Sequence, residues 1–222
     1  MNTGPAPIRV YLVDDQAMIR AAFRKLLEPD GRFAVVGDQG DPRRALEEIS
    51  ALRPDVVLLD ITMPGLSGLD AIGVIRKDSS RTKIVMLTHH EGHSFVEQAL
   101  KAGAEGYLSK DSDPNELSVA ITAVHRGDPY VSPRVSSGLV GRLRGQDARG
   151  EEEGSTLAGL TAREREVFQL LALGRSNKEV ARDLGMSVGT AKKHRENLQR
   201  KLDCHSAAEL ARLAIREGLL DA

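Results

Sequence analysis

Val56-Val57-Leu58-Leu59 is four apolar residues in a row, bounded by Pro54 and Pro64. A run this short and this uniform reads as a strand buried on both faces. Strands of that kind belong to parallel sheets covered by helices on each side. Asp60 stands where the run stops, followed by Ile61-Thr62-Met63-Pro64-Gly65. In an open α/β sheet the carboxyl ends of the strands face the ligand crevice, so a carboxylate there is a candidate for chemistry. Alone, Asp60 would be equally at home as a polar loop starter.

The flanking sequence repeats the arrangement. Ile8 to Val13 is a mainly apolar strand ending in Asp14-Asp15, and Gln16 to Leu27 carries a helical stripe of Ile19, Ala22, Phe23, Leu26 and Leu27. Phe33 to Val36 is a second strand. Asp41-Pro42 opens a helix with Asp as N-cap and Pro at its first position. After the strand ending at Asp60 come a helix from Gly68 to Arg76, a strand from Lys83 to Leu87 that ends at Thr88, and a helix from Ser94 to Lys101. Gly106-Tyr107-Leu108 is a fifth strand, followed by Ser109-Lys110. Asp113-Pro114-Asn115-Glu116 reads as a capping box opening a helix to about Arg126. Five strand–helix alternations predict a doubly wound five-stranded parallel sheet over residues 1–126.

Right-handed crossovers bring the carboxyl ends of all five strands to one edge. Asp14, Asp15, Asp60, Thr88 and Lys110 would meet there. Taken singly, the acid pair could be a turn, Thr88 a strand residue and Lys110 a solvated lysine; their common position sets them apart. Three carboxylates without His or Cys form a hard oxygen site suited to Mg²⁺. A cation relieves the cost of bringing the acids together. Asp60 can then act as a nucleophile that forms an aspartyl-phosphate, with Lys110 and Thr88 on the added oxygens.

Residues 8–126 resemble the receiver domain of two-component response regulators. The resemblance rests on the Asp14-Asp15 pair, Asp60 followed by Met63-Pro64-Gly65, Thr88, Tyr107 and Lys110, in family order. It implies that Asp60 takes a phosphoryl group from a sensor histidine kinase. It also implies that Asp14, Asp15, Asp60 and the carbonyl of Thr62 hold Mg²⁺, and that Thr88 and Tyr107 shift on phosphorylation. Where the family often has a small residue after the switch hydroxyl, this chain has His89, then His90; both read as solvated loop residues. Their bulk would slow loss of the phosphoryl group by hindering the attacking water.

Residues 127–156 change character. Gly127-Asp128-Pro129 and Ser132-Pro133 break the pattern, Arg134 to Arg144 is weakly helical, and Gly145 to Gly154 is polar around Glu151-Glu152-Glu153. This reads as a flexible tether with a possible short helix and a solvated acidic run.

Residues 157–222 read as four short helices. Thr161 with Glu164, Ser176 with Glu179 and Ser206 with Glu209 are capping boxes. Gly185 ends one helix and Ser187 starts the next, the tight turn of a helix-turn-helix. In the helix from Val188 to about Leu202, Ala191, Leu198 and Leu202 would face inward. Lys192, Lys193, Arg195, Glu196, Gln199 and Arg200 would face out, a surface suited to a major groove. A solvated amphipathic helix is the plainer alternative. Charge leans the same way: residues 1–126 sum to −3 and residues 157–222 to +3.

This part resembles the LuxR-type helix-turn-helix domain through Leu160 to Val167, Gly174 to Glu179, Ser187, Thr190 to His194 and Lys201-Leu202. Together the two parts resemble the NarL/FixJ family of response regulators over nearly the whole chain. Candidate DNA contacts are Lys178, Thr190, Lys192, Lys193, Arg195, Glu196, Gln199 and Arg200. Ala191 stands where the family usually has Val. Glu196 stands where some members carry a base-reading Lys, so base preferences do not transfer. His194 reads as a packed or capping residue, since no ligand cluster accompanies it, and the single cysteine, Cys204, as inert.

The expected function is a phosphorylation-activated regulator that binds double-stranded DNA, as a homodimer when active. No secretory signal or long apolar run is visible, so a cytoplasmic location away from membranes is expected. The same residues bear on two rival functions. A phosphatase of the haloacid dehalogenase type would want a second Asp two residues after the nucleophile, and that position is Thr62. A DNA-binding regulator whose receiver serves only as an interaction module would not need the acid pair, Asp60, Thr88 and Lys110 together.

Overall fold

In the computed structural model the chain divides into two compact units, one carrying the sheet and one carrying the C-terminal helices. The structure describes residues 5–63, 66, 68–88, 93–136 and 159–216. His89, His90, Glu151-Glu152-Glu153 and most of the stretch from Arg134 to Arg144 lie outside the described residues.

The first unit alternates as the hydrophobic pattern requires: β1 (Ile8–Val13), α1 (Ala17–Leu27), β2 (Phe33–Gln39), α2 (Pro42–Leu52), β3 (Val56–Asp60), α3 (Gly68–Asp78), β4 (Lys83–Thr88), α4 (His93–Ala102), β5 (Gly106–Ser109), α5 (Pro114–Arg126) and β6 (Tyr130–Val131). All pairings are parallel, in the order β2-β1-β3-β4-β5-β6. Strand alternation sends Val10, Leu12, Val56, Leu58, Val85, Leu87 and Leu108 to one face. They pack there with Leu27 of α1 and Leu117, Ala120, Ile121 and Val124 of α5. The intervening Tyr11, Val13, Val57, Leu59, Ile84 and Met86 are equally buried. Each such side chain contributes roughly 1.5–3 kcal/mol on leaving water, so β3, buried along its whole length, is the anchor of the sheet.

Three details depart from the sequence reading. β2 continues past Val36 to Gln39. It is an edge strand, where polar Asp38 and Gln39 are tolerated, and the register shift opposite Val10 and Tyr11 carries the ladder onward. The capping box read at Asp113 and Glu116, at the start of α5, is half formed. Asp113 accepts from Asn115 N at 2.8 Å, but Glu116 faces the Tyr130 hydroxyl at 3.4 Å.

The third departure is a sixth strand inside the stretch read as tether. Gly127, at φ +96°, ends α5 and turns the chain back. Tyr130 N then donates to the Glu105 carbonyl at 3.0 Å and Ser132 N to that of Tyr107 at 2.9 Å. Val135, in the helical turn that follows, is fully buried. A two-residue strand is too short to show a period, which is why the pattern missed it.

The second unit contains α6 (Ala162–Ala172), α7 (Asn177–Asp183), α8 (Val188–Leu202) and α9 (Ala207–Arg216). Thr161/Glu164 and Ser176/Glu179 form reciprocal capping boxes, and Ser206 and Glu209 exchange the same two bonds at 3.2 Å each. Gly185 at φ +61° lets Met186 N return to the Ala181 carbonyl, and Ser187 then caps α8 through Thr190 N at 3.1 Å. Val167, Phe168, Val180, Ala191, Leu198 and Ala214 are nearly fully buried in this unit. Lys201 of α8 reaches Glu164 of α6 at 2.8 Å, tying the end of one helix to the start of the other. No described helix is long and apolar enough to cross a membrane.

Candidate functional site

The carboxyl edge of the sheet gathers the residues expected there. Asp60 is the last residue of β3, Thr88 the last of β4, and Lys110 follows β5 directly. Lys110 N donates to the Thr88 carbonyl at 2.6 Å, which locks the ends of β4 and β5 together. The lysine side chain is 2% exposed. Its Nζ stands 2.7 Å from Asp14 Oδ2 and 3.0 Å from Asp60 Oδ2. Thr62 N donates to Asp60 Oδ1 at 3.2 Å, and Gln16 N to Asp14 Oδ1 at 2.8 Å. Asp15 is exposed beside them.

One lysine is set against two buried carboxylates. Burial pushes the Asp60 carboxyl up to about 7; Lys110 opposes that shift and the charge of Asp14 adds to it. Burial by itself would lower the Lys110 pKa, but Asp60 and Asp14 outweigh it and hold the ammonium above its ordinary value. The cluster is therefore short of positive charge. One ligand oxygen each from Asp14, Asp15 and Asp60 lie within 4.8 Å of one another. Asp14 Oδ2 is buried and, beyond its ion pair with Lys110, receives no well-directed hydrogen bond. Hard oxygens with one unsatisfied buried lone pair fit a small divalent cation.

Tyr107 is fully buried in β5. Burial raises its phenol well above the usual range, and Thr88 partly offsets this. The hydroxyl is enclosed without a well-directed hydrogen bond. Thr88 and Tyr107 are thus neighbours in one enclosed pocket.

Sequence reasoning missed Gly68. A β-carbon there would overlap the carbonyl oxygen of Asp60, and Gly68 N donates to the Ile61 carbonyl at 3.1 Å. Only glycine lets the start of α3 lie against the backbone of Asp60. A glycine opening a helix next to a strand-end Asp was the available signal.

In the second unit Ala191 and Leu198 of α8 are buried, while Lys178, Thr190, Lys192, Lys193, Glu196 and Arg200 are exposed and Arg195 is half-buried. Lys192 and Glu196 approach to 3.9 Å, both well exposed, a contact of little energy. Gln199 is turned to the protein: its Nε2 donates to the His205 carbonyl at 3.2 Å and holds the turn after α8. Cys204 is buried, its Sγ 3.4 Å from the Leu202 carbonyl, as an inert thiol would be.

A buried acid–lysine cluster on a doubly wound sheet and a capped helix-turn-helix now stand side by side in one sequence. Residues 10–122 match the response regulator receiver domain, and residues 158–214 match the luxR family of bacterial regulatory proteins. The chain is a response regulator of the NarL/FixJ family. It is 41% identical over 200 residues to the nitrate/nitrite response regulator protein NarP of Escherichia coli, covering 90% of this chain and 91% of NarP. It is 38% identical over 213 residues to the transcriptional regulatory protein MctR of Rhizobium johnstonii, covering 96% and 95%. Among solved structures, the RcsB response regulator of Salmonella typhimurium, studied for its conformational dynamism in DNA interaction, superposes with a TM-score of 0.60 at 25% identity, over 95% of this chain and 99% of RcsB. This response regulator is a transcription regulator that joins a receiver to a LuxR-type DNA-binding domain.

Proposed function

We propose that Asp60 is the phosphoryl acceptor, supplied by a sensor histidine kinase in the cytoplasm, and that Asp14, Asp15, Asp60 and the Thr62 carbonyl hold Mg²⁺. The observation that carries this reading is the convergence of two buried carboxylates on one buried ammonium, 2.7 and 3.0 Å from Asp14 and Asp60, with an oxygen of Asp15 within 4.8 Å of an oxygen of each acid. Mg²⁺, when bound, supplies the positive charge the cluster lacks and keeps Asp60 ionised at neutral pH. An Asp60 carboxylate oxygen attacks phosphorus as the donor's imidazole leaves, giving an aspartyl-phosphate. Lys110 Nζ, freed from part of its duty to Asp60, pairs with a phosphoryl oxygen, and the Thr88 hydroxyl donates to another.

Thr88 moving toward the phosphoryl group empties the space beside the Tyr107 hydroxyl, and Tyr107 follows. The backbone of Tyr107 is laddered to Ser132, so β6 carries the shift into the segment that leads to the DNA-binding unit. Phosphorylation drives this change only by binding the two states unequally. The output is a homodimer whose two α8 helices enter successive major grooves of double-stranded DNA. Lys178, Thr190, Lys192, Lys193, Arg195, Glu196 and Arg200 are the contact candidates. Gln199 acts through the turn it holds.

The test is the intact mass of the purified chain after incubation with Mg²⁺ and a small acyl phosphate, beside Asp60→Asn. One added phosphoryl group on the wild type alone is the expected result, followed by tighter binding to promoter DNA. Equal labelling of Asp60→Asn would remove Asp60 from its role.

A further inference from the structure

The acid pair is held from behind by a residue outside the cluster. Asp14 N makes the last rung of the β1–β2 ladder, to the Gln39 carbonyl at 3.2 Å. Beyond it the Asp14 carbonyl has no strand partner, and Arg20 of α1 takes it, donating from Nη1 at 2.6 Å. Arg20 Nε donates to Asp38 Oδ1 at 3.1 Å, and Arg24 Nη2 reaches the other oxygen of Asp38 at 2.5 Å. The Arg20 side chain is 18% exposed. Gly40 leaves the room: a β-carbon there would stand 3.0 Å from Arg20 Nη1 and 3.5 Å from the Asp14 carbonyl oxygen.

Asp14 is therefore gripped at three points, Oδ1 by Gln16 N, Oδ2 by Lys110 and the carbonyl by Arg20. The peptide joining Asp14 to Asp15 cannot rotate without breaking the last of these. That peptide sets where the exposed Asp15 carboxylate points relative to the buried Asp14. Asp38 matters as well, since it pairs with the Arg20 guanidinium and offsets part of its charge. The guanidinium then orients the pair without competing for it as a cation.

We infer that Arg20 is a positioning residue for the divalent-cation site: by clamping the Asp14 carbonyl it sets the angle at which the Asp14 and Asp15 carboxylates meet a metal ion. The inference rests on the Mg²⁺ reading above. Outer groups that orient metal ligands change metal affinity strongly when removed. A rigid guanidinium can hold the carbonyl and Asp38 at once, whereas an ammonium on a flexible stem holds one of them well.

The experiment is calorimetric titration of the full chain with Mg²⁺ alone, in wild type, Arg20→Ala, Arg20→Lys, Gly40→Ala and Asp15→Asn, with circular dichroism to verify folding. Arg20→Ala should raise the Kd for Mg²⁺ about tenfold, and Arg20→Lys should recover part of that. Gly40→Ala removes no charge and no hydrogen-bonding group, yet should weaken binding several-fold by displacing Nη1. A folded Arg20→Ala with a Kd within twofold of wild type overturns the inference. Should Arg20→Ala fail to fold, an unchanged Kd in Gly40→Ala overturns it equally. A wild type that binds no Mg²⁺, or binds it as well after Asp15→Asn, overturns instead the Mg²⁺ reading on which it stands.

Discussion

The two edges of the receiver sheet treat their carboxylates in opposite ways. At the amino edge Glu105 is fully served: Arg76 and Lys83 pair with it and Ile84 N donates to it at 2.9 Å. Arg76 also binds the carbonyls of Thr82 and Gly103, at 2.7 and 2.6 Å. At the carboxyl edge Asp14 and Asp60 share one lysine, and Asp60 is pushed up to about 7. The same fold can satisfy a half-buried acid, so the shortfall at Asp60 is specific to that edge. A saturated edge stabilises the sheet, and an undersupplied edge keeps its affinity for ligands.

Four measurements would break or sharpen this contrast. The largest effect is chemical: Asp60→Asn should lose phosphoryl acceptance entirely, as read by intact mass, while nothing at the amino edge should matter to that reaction. Next, Arg76→Ala should destabilise the chain by about 3–5 kcal/mol in urea unfolding, because it strips a charged donor from two carbonyls and leaves half-buried Glu105 with Lys83 as its remaining cation. Its Mg²⁺ affinity should stay within twofold of wild type; a large loss would show that the two edges are not independent.

The third effect is a pH dependence. Asp60 titrates near 4 when unfolded and at about 7 when folded, so the folded state binds more protons between these values. Without Mg²⁺, wild-type stability should fall as pH rises from about 4 to 7 and level off above. Asp60→Asn should lack that fall and exceed wild type by about 4 kcal/mol at pH 8, with the gain vanishing toward pH 4. A constant difference across that range would show that burial does not hold a proton on Asp60.

The smallest effect on folding lies on α8. Lys193→Ala should change stability by less than about 0.5 kcal/mol, since the side chain is exposed. In binding to promoter DNA it should reduce the slope of log affinity against log salt by about 1. An unchanged slope would remove Lys193 from the phosphate contacts.

How much of this was legible beforehand depends on the range of each interaction. Strand and helix alternation, the caps at Thr161, Ser176 and Ser187, and the positions of Asp14, Asp60, Thr88 and Lys110 at strand ends all follow from local periodicity and cap chemistry. These act over a few residues and leave a pattern in the chain. Parallel crossovers have one hand, so strand ends at one edge follow from order alone.

Contacts fixed by the packing of one element against another left no such pattern. β6 pairs with β5 through two residues too few to show alternation. Gly68 is needed only because α3 starts against the Asp60 carbonyl. Arg20 looks like an ordinary polar residue on α1 until the Asp14 carbonyl is found 2.6 Å from it. Gln199 looks like any outward residue of α8 until its amide is found on the His205 carbonyl. The residue types and spacing along this chain were enough to say that acids, a hydroxyl and a lysine would meet. Which oxygen the lysine serves, how short of charge the acids are and what holds them from behind arise from distances in space, and those exist only once the sheet has closed.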